Sequence, residues 1–172
     1  MPSGKKYELH FFTATILEWK HLLANDRYKD IILDTLQYLV ANKRIHLHAY
    51  VIMSNHLHIL WHIINPHKRE DVQRDFLKFT AQMVLKDLRN NNPDLLNELY
   101  VGARDRKHQV WERNPLTVEL WSEDVMKQKL DYIHNNPVKA ALCSQPEDYK
   151  YSSASYYSLA VDARGILTSC LM

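Results

Sequence analysis

The feature that most constrains the fold is a pair of alternating segments, residues 45–52 and 56–63, joined by Met53-Ser54-Asn55. Apolar side chains at every second position have the period of a β-strand that buries one face. Serine and asparagine favour the tight turn between the two segments. The segments therefore predict an antiparallel hairpin. The predicted apolar faces hold residues 45, 47, 49 and 51 of the first strand and residues 57, 59, 61 and 63 of the second.

Residues outside the hairpin extend it to an α+β fold. Aromatic and β-branched residues predict a strand over residues 7–16, and helical spacing predicts helices over residues 26–42 and 67–90. Residues 95–107 suggest a short helix and a loop, and residues 109–119 a fourth strand bent at Asn114-Pro115. Ser122 caps a last helix, which we expect Pro137 to stop. The order β-α-β-β-α-β predicts a ferredoxin-like antiparallel sheet with an additional C-terminal helix.

Composition sets broad limits on the class of protein. The 172 residues fit one domain, residues 1–172, with the tail from about residue 150 as an irregular extension. Neither an apolar export signal nor a membrane-spanning stretch is evident, which favours a cytoplasmic protein. Two cysteines without a Cys-x-x-Cys pair argue against a disulfide framework or a thiolate zinc site. A net charge of +2 neither requires nor excludes a nucleic-acid partner.

Ten histidines give the first indication of chemistry, because imidazole is a common metal ligand. His56 and His58 are two residues apart on a predicted strand, so both side chains lie on one face of the sheet. His46 and His48 form an equivalent pair on the preceding strand. An isolated pair of this kind is more often solvent-facing or satisfied in the core than bound to metal, and the residues alone leave both pairs open.

The last predicted helix presents a tyrosine beside an amide. Tyr132 and Asn136 are one turn apart, on a different stripe from the apolar Met126, Leu130 and Ile133. A phenol and a side-chain amide on one face can supply a nucleophile and a metal ligand. A packed tyrosine and a helix-capping asparagine explain the pattern equally well. The following proline is expected to push Asn136 beyond the last regular turn.

Two longer motifs carry a resemblance to a known family. Residues 49–60, AYVIMSNHLHIL, and residues 131–140, DYIHNNPVKA, resemble the paired signatures of single-tyrosine HUH transposases. Within that family the chain is most similar to the REP-associated tyrosine transposase branch. The resemblance spans roughly residues 7–157 and includes PEDYKYSS at 146–153. The chain has Ser54 where proline is common, Ala141 where a helix-ending glycine is usual, and Tyr151 where tryptophan is frequent.

The resemblance implies a set of functional residues. His56, His58 and Asn136 become the metal ligands, and Tyr132 becomes the nucleophile that cuts single-stranded DNA, leaving a 5′-phosphotyrosine and a free 3′-hydroxyl. Two imidazoles and an amide suit Mg²⁺ or Mn²⁺ with sites left for water and phosphate. Lys129 is a candidate to assist Tyr132, although a solvated helix lysine is the simpler interpretation.

Two alternatives follow from the same residues, since fold does not fix function. One is a catalytically silent nucleic-acid-binding module, and the other is a hydrolase in which a metal-bound water attacks.

Single-stranded or hairpin DNA is the expected partner. Candidate phosphate contacts are Arg74 and Lys78 on the second long helix and the cluster Arg104, Arg106 and Lys107. The C-terminal tyrosines at positions 149, 151, 156 and 157 suit either base stacking or core packing. A monomer and a homodimer are both compatible with the sequence.

Overall fold

A computed structural model describes residues 8–171 of the chain. The strands are β1 (Leu9–Thr15), β2 (Ile45–Ile52), β3 (His56–Ile63) and β4 (Leu116–Leu120). The helices are α1 (Asp26–Ala41), α2 (Arg69–Asn91), α3 (Pro93–Glu98), α4 (Glu123–Lys139) and α5 (Ala154–Leu159). Tyr7, the first residue of the predicted first strand, lies outside the described residues.

The four strands form one sheet in the order β2-β3-β1-β4, and all paired strands are antiparallel. This is the strand order of a ferredoxin-like sheet, so the predicted fold class is confirmed. The hairpin predicted from the two alternating segments is β2 and β3, joined at residues 53–55. Asn25 caps α1, because its side chain accepts a hydrogen bond from the Arg27 amide.

Helices cover both faces of the sheet. The larger apolar core lies between the sheet and α1 and α2, and it includes Leu57, Ile59 and Trp61 from β3. The smaller core lies on the opposite face, where Leu60 packs with Met126, Leu130 and Ile133 of α4. Alternation along β3 therefore puts His56 and His58 on one face, as the sequence predicts, and in the structure this is the face that packs against α4.

The predicted faces of β2 are wrong beyond Leu47. The pairing with β3 shifts between Leu47 and Ala49, so His48 is an extra residue in a β-bulge. One extra residue exchanges the two faces of everything that follows. Ala49 and Val51 consequently join the α4 core, while Tyr50 and Ile52 face α1 and α2.

The predicted fourth strand is also wrong in its first half. Asn114 has a positive φ of 60° and precedes Pro115, so regular pairing begins only at Leu116. Upstream of this turn, Trp111 makes an isolated bridge to Ile16.

Pro137 does not stop α4, which continues to Lys139. The proline lies in the last turn, where its missing N–H removes one helical hydrogen bond, and its ring is buried. Asn136 is therefore helical rather than beyond the last turn. The helix ends through Ala141, which adopts a left-handed φ of 58°.

The tail beyond residue 150 is hydrogen-bonded to β2. Ser152 pairs with Val51, and the carbonyl of Tyr151 accepts a hydrogen bond from the Ile52 amide. The hydroxyls of Tyr149 and Tyr157 donate to the β2 carbonyls of Ile52 and His48, so these tyrosines serve packing. Among residues 8–171, no helix has the length and apolar character needed to cross a bilayer.

Candidate active site

Three side chains from β3 and α4 meet on one face of the sheet. The His56 and His58 ring centroids are 4.9 Å apart, and the His58 and Tyr132 centroids are 5.2 Å apart. Packing of the apolar stripe of α4 on the sheet turns Tyr132 toward β3. Phe11 supports the arrangement from β1, stacking on His58 at 5.2 Å and meeting the edge of Tyr132 at 6.0 Å.

Each histidine uses its Nδ1 atom for a hydrogen bond. Asn55 Oδ1 lies 2.8 Å from His56 Nδ1, and the Thr13 hydroxyl lies 2.7 Å from His58 Nδ1. With both protons on Nδ1, each ring has its Nε2 lone pair available. Among residues 8–171, His58 Nε2 is buried and has no hydrogen-bond partner. A buried polar atom without a partner is costly in a protein interior, which points to a ligand at that position.

The electrostatic surroundings keep both rings neutral. Burial lowers the pKa of His56, and burial together with the neighbouring His56 and Lys129 lowers the pKa of His58 to about 3. A neutral imidazole is the form that binds a metal ion.

Tyr132 is accessible and lies near two cations. Its side chain is 44% exposed. The ammonium groups of Lys129 and Lys139 lie 5.8 and 5.9 Å from the centre of its ring, and Lys129 also lies 4.7 Å from the Phe11 ring. An accessible phenol with two ammonium groups near its ring is a suitable place for a phosphate to approach.

Asn136 lies one helical turn beyond Tyr132 and is half-buried. Within residues 8–171, no three side chains of the His, Cys, Asp and Glu types are grouped so that they can hold a metal ion. A metal centre built on His56 and His58 therefore needs a donor of another type, and the carboxamide of Asn136 is such a donor.

The alternative pair does not form an equivalent site. His46 stacks on His62 with ring centroids 5.9 Å apart. The bulge at His48 breaks the spacing, and the His48 ring donates from Nδ1 to the Thr168 carbonyl, 2.7 Å away. His46 and His48 thus have different neighbours, whereas His56 and His58 contact each other.

The predicted phosphate contacts lie apart from this cluster. Arg74 and Lys78 are exposed on α2, which covers the opposite face of the sheet, and Arg74 pairs with Asp71 and Asp75. The other three cations are exposed on the loop between α3 and β4, where Arg106 pairs with Asp105 at 3.0 Å. Among residues 8–171, no hydrogen bond, ion pair or ring contact joins any of these cations to His56, His58 or Tyr132.

Four neighbours of the site were not singled out by the sequence. Thr13 and Phe11 come from β1, and Trp19, from the segment after β1, meets the edge of His56 at 6.1 Å. Lys139 is seven residues after Tyr132 on α4, a helical spacing that is visible in the sequence. The β1 residues lack such a signal, because pairing of β1 with β3 alone sets Thr13 opposite His58.

Comparisons with known proteins establish the fold independently. No protein-family model and no curated protein matches the sequence. A solved REP-associated tyrosine transposase bound to a REP hairpin is similar at a TM-score of 0.66 and 15% identity, over 97% of this chain and 88% of that one. A candidate transposase from Deinococcus radiodurans R1 is similar at a TM-score of 0.51 and 19% identity, over 78% and 95%. The chain therefore has the fold of these transposase structures, as the resemblance of its motifs led us to expect.

Proposed function

We propose that the chain is a metal-dependent endonuclease and strand transferase for single-stranded DNA, a transposase-type enzyme in which Tyr132 is the nucleophile. The observation that carries the proposal is the buried Nε2 of His58, which finds no hydrogen-bond partner in the described part of the chain and belongs to a ring that contacts both His56 and Tyr132. The fold shared with a transposase structure bound to a DNA hairpin supports DNA as the substrate.

The donor set fits a divalent cation. His56 and His58 would bind through Nε2, since their Nδ1 atoms are engaged by Asn55 and Thr13, and Asn136 would add an amide oxygen. Such hydrogen bonds orient imidazole ligands and raise their basicity. Mg²⁺ or Mn²⁺, when bound, would neutralise charge on the scissile phosphate as a Lewis acid.

Tyr132 would perform the bond exchange. Its oxygen forms a bond to phosphorus while the bond from phosphorus to the 3′ oxygen of the preceding nucleotide breaks. The phenol loses a proton and the departing oxygen gains one, which gives a 5′-phosphotyrosine and a free 3′-hydroxyl. Attack by a 3′-hydroxyl on the phosphotyrosine reverses the step and joins strands. Lys129 and Lys139 would hold the phosphate near the tyrosine ring.

An adduct assay tests this proposal. The substrate is a pool of DNA hairpins with randomised single-stranded flanks, fluorescently labelled at the 3′ end in one preparation and at the 5′ end in another, and incubated with protein and Mn²⁺. We expect a covalent complex, stable in denaturing detergent, that retains a 3′ label but not a 5′ label. Tyr132→Phe should abolish the complex while binding of DNA and Mn²⁺ persists. Tyr38→Phe, the same change at another exposed tyrosine, on α1, is the matched control.

The outcomes separate the alternatives. A normal adduct in Tyr132→Phe would remove this tyrosine from the chemistry. Cleavage that survives in Tyr132→Phe without an adduct would make water the nucleophile. DNA binding by the wild-type protein with no cleavage under any metal would identify a binding module.

A further inference from the structure

The segment that follows β1 exposes a tryptophan at the edge of the candidate active site. Ile16 and Leu17 are buried, whereas the next two residues, Glu18 and Trp19, are exposed and have positive φ values of 53° and 57°. Left-handed backbone is unfavourable for residues with a Cβ and persists only where the surrounding structure enforces it.

Hydrogen bonds to two other segments enforce this conformation. The amides of Ile16 and Leu23 donate to the carbonyls of Asn55 and Ser54 in the β2–β3 turn. The Leu17 amide donates to the Val110 carbonyl. The backbone that presents Trp19 is thus hydrogen-bonded to the turn that immediately precedes His56, the first residue of β3.

Trp19 is directed away from the apolar cores. Trp19 is 60% exposed, and its ring approaches His56 edge-on, with centroids 6.1 Å apart. A large aromatic ring held at the surface by a strained backbone contributes little to stability, so a binding role is the better account.

The rings form a row across the site. Tyr132 contacts His58, His58 contacts His56, and His56 contacts Trp19, at centroid separations of 5.2, 4.9 and 6.1 Å. Tyr132 and Trp19 occupy the two ends of the row. A strand whose phosphate lies over the histidines would bring a neighbouring nucleotide to Trp19.

We propose that Trp19 is a stacking platform for an unpaired base that flanks the scissile phosphate. This inference rests on the proposed function and specifies how the same site holds its substrate. Single-stranded DNA has exposed base faces, and stacking on an aromatic ring accepts any base. Trp19 therefore favours unpaired DNA over duplex and fixes the strand relative to the histidines without reading its sequence.

Binding of two strands that differ only in their bases tests the proposal. One probe is fluorescein-labelled oligothymidine of about 20 nucleotides, long enough for a site on one domain. The other has the same number of phosphates and abasic sugars throughout. Wild-type protein should bind the thymidine strand more tightly. Trp19→Ala should weaken binding to the thymidine strand by about 5- to 100-fold and leave binding to the abasic strand nearly unchanged.

Matched variants keep the test independent of folding. Trp19→Phe retains a π face and should preserve most of the preference for thymidine, whereas Trp19→Leu retains apolar volume and should lose it. Tyr38→Ala removes an aromatic ring with 61% exposure from the opposite helical layer and should behave as wild type.

Two results would overturn the inference while leaving the proposed function intact. In one, Trp19→Ala and Trp19→Leu bind the thymidine strand as wild type does. In the other, they lose affinity for both strands equally, which would mean that Trp19 acts through the phosphate site. Failure of the wild-type protein to bind either strand would instead contradict the proposed function as well as the inference.

Discussion

The hydrogen bond between Thr13 and His58 offers a sharp test of the candidate metal centre. Thr13→Val replaces a hydroxyl by a methyl group of nearly the same size. The Thr13 oxygen lies 2.7 Å from Nδ1 of a ring that is only 5% exposed, so water cannot readily replace it. The variant therefore removes the hydrogen-bond partner of His58 Nδ1 with little change in packing.

The expected size of the effect follows from the two nitrogens of His58. In the metal-free variant the ring is free to carry its proton on either nitrogen. Metal binding at Nε2 forces the proton onto Nδ1, where it has lost its acceptor. An unsatisfied buried donor costs about 1–3 kcal/mol, and loss of an outer hydrogen-bond partner typically weakens metal binding about 10- to 100-fold. Since the metal-free ring also loses a hydrogen bond, we expect the low end, a roughly tenfold rise in the Kd for Mn²⁺.

Titration calorimetry with Mn²⁺ measures this change directly. Thr15→Val is the matched control, because Thr15 lies on the same strand and face. None of the hydrogen bonds found among residues 8–171 joins its hydroxyl to His56 or His58. An unchanged Kd in Thr13→Val, or an equal rise in Thr15→Val, would show that the Thr13 hydroxyl does not orient a metal ligand.

Two further predictions concern stability. Burial lowers the pKa of His10, His48, His56, His58 and His134 below the value of 6.5 that a histidine has in an unfolded chain. The unfolded state therefore binds more protons below pH 6.5, and stability is present above that pH and lost as the pH falls. In urea unfolding of the metal-free protein, the free energy of unfolding should fall by about 1.4 kcal/mol for each pH unit of acidification and each histidine that titrates fully. A free energy of unfolding that stays constant down to about pH 5 would contradict this prediction. Ala141→Gly should raise the free energy of unfolding by about 0.5–1 kcal/mol, because glycine adopts the left-handed φ of 58° without strain. Ala140→Gly is the control: Ala140 has φ −80°, and its replacement should not stabilise the protein.

The amino-acid sequence by itself determined the local periodicities. Alternation in β3 requires His56 and His58 to share a face, whatever the sheet packs against. Helical spacing in α4 likewise requires Tyr132 to lie on a different stripe from Met126 and Ile133. These relations depend only on backbone geometry, so they could be predicted and are observed. The resemblance of the motifs added the choice of His56 and His58 over His46 and His48.

Only the tertiary structure decided what those faces meet. The bulge at His48 depends on pairing with β3, and Pro137 lies inside the last turn of α4 with its ring buried. Contact between His58 and Tyr132 joins residues 74 positions apart, and it requires α4 to pack across the sheet. The placement of Thr13 and Trp19 beside the histidines likewise comes from β1 and the segment after it. Long-range packing brings these groups together, and the local periodicity of the sequence does not predict such contacts.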